Sequence, residues 1–82
     1  MNFHADWTNT LTELGLTTLI AELSSEEGIA RNGGHAVEVL KRKLVELRKV
    51  PSEEQSKGHS HNLHVLSEII DTVEKTMRKQ GN

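Results

Sequence analysis

The absence of cysteine removes two common braces of a small domain, because neither a disulfide framework nor a thiolate metal site can form. Tyrosine is missing too, and Phe3 and Trp7 are the only aromatic residues, so the large apolar side chains are nearly all Leu, Ile and Val. That payload suits helices packed side by side. No run approaches the roughly 18 apolar residues of a membrane span, and the opening MNFHADW has no basic region leading into an apolar one. A cytoplasmic protein with no membrane partner is therefore expected. Charge of one sign is not in excess either: ten Lys and Arg face twelve Asp and Glu, which gives no global attraction to nucleic acid. There is no G-x-S-x-G elbow, no catalytic cysteine, no GxxxxGK[ST] loop and no GxGxxG. These absences, and the small concave volume a short helical protein offers, predict a chain that is not an enzyme and carries no cofactor.

What is present fits one domain, residues 1–82, at a size where a single core only narrowly offsets chain entropy. Charge is segregated along it. Residues 1–34 carry five acids and one base, residues 35–50 five bases and two acids, and residues 51–82 five acids and four bases. Neighbouring segments of opposite sign favour packing against each other.

The apolar pattern predicts an all-α fold. Trp7, Leu11 and Leu14 share one helix face, while Leu16, Leu19, Ile20 and Leu23 form a second stripe rotated from the first by about 130°. Two short helices within 5–24 explain that rotation, with Gly15 ending the first and Thr17 capping the second. "SSEE" at 24–27 reads as a capping box with Ser24 as the cap and Glu27 reaching back. "NGG" at 32–34 leaves two readings: a turn there with a new helix from 35, which the glycines favour, or one helix from about 25 to 49 with Gly33 at a close approach. Val37, Leu40, Leu44 and Leu47 then repeat at spacings of three and four, and Pro51 closes that helix. Residues 51–62 lack any large apolar side chain and form a polar connection, or a polar overhang of the next helix. Leu63, Leu66, Ile70, Val73 and Met77 mark a last helix over about 60–79, supported by the acid-first pairs Asp71 with Lys75 and Glu74 with Arg78.

Two such seams joined by a polar connection predict an antiparallel helical hairpin over about 25–80. Val65 and Ile69 widen the apolar face of the last helix to about 160°, more than one neighbour needs. That surplus predicts a helix-bundle homo-oligomer whose interface draws on Val37, Leu40, Leu44, Leu47, Leu63, Val65, Leu66, Ile69, Ile70, Val73 and Met77. Coverage of the same surface by the N-terminal helices within one chain is the alternative.

"GHSHNLH" at 58–64 places His59, His61 and His64 within six residues. His61, His64 and Glu68 share one side of the last helix, and two imidazoles with a carboxylate would suit Zn²⁺ with a fourth position open. His61 and Glu68 lie about 10 Å apart along the axis, however, so only a two-ligand pair completed from elsewhere is feasible. A pH switch is another reading, since imidazoles change charge near about pH 6. The simplest has Ser60 or Asn62 capping the helix and the histidines exposed around its first turn. The single basic stretch, "KRKLVELRK" at 41–49, offers Lys41, Arg42 and Arg48 to an acidic partner or an anion. Glu38 and Glu46 interrupt it, no aromatic is interleaved and its cations spread around the helix, which disfavours nucleic acid. Taken together, the residues predict a non-enzymatic regulatory or adaptor protein that self-associates and contacts a second protein. A metal or ligand sensor is the alternative, and a weak nucleic-acid-binding regulator a further one.

Overall fold

The computed structural model describes residues 4–81, and within them the chain is all-helical, with no strand. Residues 1–3 and 82, which the single-domain reading includes, lie outside the described residues. Four α-helices follow one another: α1 (Ala5–Glu13), α2 (Thr17–Leu23), α3 (Glu26–Arg48) and α4 (His59–Gln80), with a 3-10 turn at Ser52–Glu54 before α4. None of them is long and apolar enough to cross a membrane.

Gly15 ends α1 as its position implied. It takes φ +75°, the left-handed conformation only glycine adopts cheaply. Its N–H bonds the Thr12 carbonyl at 3.1 Å, and the Leu16 N–H reaches the Leu11 carbonyl at 2.8 Å, which is the paired bonding of a Schellman turn. The chain thereby turns sharply enough for the two rotated stripes to face one core. Thr17 is the first residue of α2 rather than its cap, which is Leu16.

The start of α3 lies one residue later than the capping-box reading placed it. Ser25 is the cap and accepts from the Gly28 N–H at 3.0 Å, whereas Ser24 donates to the Ala21 carbonyl at the end of α2. Glu27 does not reach back but pairs with Arg31 on the next turn. Nor does the helix break at Asn32–Gly34. It runs unbroken because Gly33 is buried where a Cβ would sit 2.7 Å from the Met77 sulfur, while the surrounding seam keeps its phase. Here tertiary packing overrides the intrinsic cost of two glycines, about 1 kcal/mol each.

α3 and α4 pack together and run in opposite directions, as their side-chain contacts show. Gln80 donates to the Glu26 carbonyl at 2.6 Å, Met77 lies against Gly33, and Lys41 pairs with Glu74 at 3.1 Å. Glu74 thus turns across to α3 instead of down its own helix, and neither Asp71 with Lys75 nor Glu74 with Arg78 forms an ion pair among the described residues. The connection is shorter than 51–62, since α4 begins at His59, with Gly58 ahead of it and no side-chain cap.

One core joins all four helices. Trp7 and Leu11 of α1, Leu19 and Leu23 of α2, and the seams of α3 and α4 form a single buried cluster, with Leu47, Leu63 and Met77 packed at its margin. Val65 and Ile69, the surplus surface from which an oligomer was expected, are 2% and 0% exposed within the single chain. The N-terminal helices provide that cover: α1 packs on α4 and α2 on α3.

The glycines separate cleanly by surroundings. A Cβ at Gly28 would run into the Glu22 carbonyl oxygen, where α2 hands over to α3, whereas one at Gly34 would meet nothing within 4 Å. Gly28→Ala is expected to cost about 1–3 kcal/mol through forced backbone movement. Gly34→Ala should add about 0.5–1 kcal/mol by favouring the helix. Urea unfolding of the two variants beside the parent tests this, and equal effects at the two positions would contradict the packing described.

Candidate functional site

The polar side chains grouped by the sequence are sorted by the fold into two regions. The first is the seam between α1 and α4. α1 is a weak helix by composition, with three threonines, an asparagine and an aspartate in nine residues and no side-chain cap at His4. It is held in place from outside. The Trp7 indole Nε1–H donates to Glu68 Oε1 at 2.7 Å, and the His4 ring meets the Trp7 ring edge to face with centroids 4.8 Å apart. Thr10 donates its hydroxyl to Asn62 Oδ1 at 3.3 Å, both residues being buried, and Asn62 Nδ2 donates to Glu13 at 3.5 Å. Asp6 and His61 meet at 3.0 Å on the outside.

This arrangement divides the His61, His64 and Glu68 trio. His64 lies 3.6 Å from Glu68 on the next turn, but His61 faces Asp6 of α1, and Glu68 is engaged by Trp7. Among the described residues no group of three or more His, Asp or Glu side chains is gathered as a metal site would need. The simplest sequence reading is corrected as well. His59 is buried rather than exposed, and Asn62 lies inside the seam rather than capping α4. Sequence reasoning missed Asn62 and Thr10 as a buried pair. The available signal was that Asn62 falls on the α4 wheel beside Val65 and Ile69, about 60° and 20° away, on the side the surplus apolar face occupies.

The second region is the outer face of the C-terminal half of α3. Lys41, Arg42, Arg48 and Lys49 are all exposed and fall within about 120° of the helix wheel. Lys43 is the exception, turned to the other side and paired with Glu46 at 3.4 Å. Four of its five cations thus share one side of α3, which corrects the expectation that they spread around the helix. Val45 sits in the middle of this arc and is 49% exposed, the one large apolar side chain so exposed among the described residues. Lys41 is paired with Glu74 and Arg42 with Glu38 at 2.9 Å, while Arg48 and Lys49 have no ion-pair partner among the described residues.

If Glu68 is what orients α1, its loss should exceed that of the exposed Asp6 and His61 pair. Glu68→Ala is expected to lower unfolding free energy by about 1–2 kcal/mol and to shift the emission of Trp7, the only tryptophan. His61→Ala should cost no more than about 1 kcal/mol, as exposed ion pairs do. Denaturant titrations followed by Trp7 fluorescence compare them directly, and a His61 loss equal to the Glu68 loss would shift the anchoring role to the outer pair.

Comparison of the chain with protein-family models, with curated proteins and with solved structures returned no match.

Proposed function

We propose that the protein is a non-enzymatic helical adaptor or regulatory module that binds an acidic segment of a second protein on the outer face of α3. The observation that carries this reading is Val45, exposed at the centre of an arc of four cations, two of them unpaired. An exposed apolar side chain flanked by Lys41, Arg42, Arg48 and Lys49 suits a partner that offers carboxylates around a small apolar contact. The apolar centre supplies burial, and the rim charges set orientation and association rate. Other supporting observations concern the seam. His61 contacts Asp6 of α1, Glu68 accepts from Trp7 and His64 lies beside Glu68, so each side chain of the candidate ligand set has a partner within the fold.

The test is an amide NMR titration with a short amphipathic peptide rich in Glu and Leu. Chemical-shift changes are expected to concentrate at residues 41–49, and Val45→Glu should weaken binding at least about tenfold, or 1.4 kcal/mol, by placing a like charge at the contact. Changes centred elsewhere, or an unaltered affinity in the Val45→Glu chain, would overturn the proposal. Tighter binding to a DNA duplex, falling steeply with salt, would move the reading to the nucleic-acid class instead.

A further inference from the structure

We infer that α4 carries a docking surface for the α1 helix of a second copy of this chain, so that two chains can exchange their first helices through a hinge at Gly15. This rests on the α1 seam and is independent of what the outer face of α3 binds.

Four observations converge on it. First, α1 is nine residues long, rich in poor helix formers and uncapped, so its helical state depends on the surface it lies on. Second, that surface is apolar and specific. Val65 and Ile69 fall on the α4 wheel between Asn62 and Glu68, the two residues that take hydrogen bonds from α1. A segment that fits this surface within one chain fits it equally well between chains, the defining condition for exchange of an identical element. Third, the link between α1 and α2 is a single tight turn, and its closed form rests on Gly15 holding φ +75°. Fourth, no side-chain packing surrounds Gly15 itself in the closed turn, since a Cβ built there would meet no atom within 4 Å.

The opened hinge has a definite shape. With Gly15 in right-handed helical geometry, residues 5–23 become one rod about 28 Å long. Its two apolar stripes then point about 130° apart. Leu19 and Leu23 can stay in their own core while Trp7 and Leu11 face away from it, toward the uncovered α4 of another chain. Each exchanged site would be built from both copies, with Trp7 and Thr10 from one and Glu68 and Asn62 from the other. The closed chain leaves Val65 and Ile69 no surface to offer, so association through these residues requires this opening.

Gly15→Ala tests the hinge without disturbing packing. A left-handed alanine is penalised, so the ratio of opened to closed chains should rise on the order of tenfold. Light scattering on this variant, refolded from denaturant at millimolar concentration, is expected to show a particle of twice the 9.2 kDa chain mass, with unchanged helix content by circular dichroism. A second measurement identifies the exchanged contact. The chain has no cysteine of its own, so under reducing conditions a short thiol-specific linker reacts only at Asp6→Cys in one Gly15→Ala chain and His61→Cys in another. Co-refolding the two is expected to give a crosslinked heterodimer several-fold above a control with Glu27→Cys in place of Asp6→Cys. A Gly15→Ala chain that stays at 9.2 kDa, or crosslinking no greater than the control, would overturn the inference.

Discussion

The width of the α4 apolar face constrains everything else in this molecule. A helix that packs against one neighbour needs a narrow seam, and α3 supplies that neighbour through Val37, Leu40 and Leu44. Val65 and Ile69 lie beyond it. Leaving them in water would forfeit about 1.5–3 kcal/mol for each side chain, a large share of the stability of an 82-residue domain. Placing Trp7 and Leu11 over that side removes the loss, and the burial of α1 and the reversal at Gly15 both follow from it. α2 follows as the segment that must return the chain from α4 to the start of α3.

Apolar cover alone would leave α1 free to slide or rotate, since Leu, Ile and Val surfaces carry little directional information. The polar contacts along its edge supply direction. Trp7 with Glu68 fixes one end, the buried Thr10 and Asn62 pair fixes the middle, and Glu13 with Asn62 fixes the far end. Each buried partner would cost about 1–3 kcal/mol if displaced and left unsatisfied, so other registers are disfavoured more than this one is favoured. A short helix of poor intrinsic propensity therefore occupies one position rather than several. Histidines that resemble a ligand set along the sequence are part of this fixing: His61 reaches α1, and His64 flanks the carboxylate that holds Trp7.

The elements whose signals are local were legible in the sequence. The repeat from Leu63 to Met77 marks α4, the phase change at Gly15 marks the first turn, and Pro51 follows shortly after the end of α3. The elements set by contacts distant in sequence were not. Whether α3 crosses Asn32–Gly34 depends on Met77, which is 44 residues away from Gly33 and needs the space a side chain would fill. The cap at Ser25 rather than Ser24 depends on how α2 ends against Gly28. Glu74 had a plausible partner on its own helix in Arg78 and chose Lys41 across the interface. For the surface, the basic residues were found by composition, but the exposure of Val45 among them could not be read. A valine next to a seam leucine, as Val45 is to Leu44, has the same local signature whether a neighbouring helix covers it or not.

The open outer face of the C-terminal half of α3 has a geometric cause. α3 has 23 residues and α2 has seven, about 34 Å against about 10 Å of helix, so α2 can shield only the portion of α3 beside its own length. The groove where the two meet is lined by Ala21, Glu22 and Asn32, all toward the N-terminal end of α3. Val45 lies about 140° around the wheel from Asn32 and more than three turns further along. The surface left open is thus both distant from and turned away from the region where helices exchange cover. Opening at Gly15 would not disturb it, and two chains joined through α1 would present two such faces on one particle. Paired faces of modest individual affinity bind a partner with repeated acidic segments far more tightly than one face does, provided the linker between those segments spans them. The same short N-terminal helix would then set both the stability of the single chain and its valency.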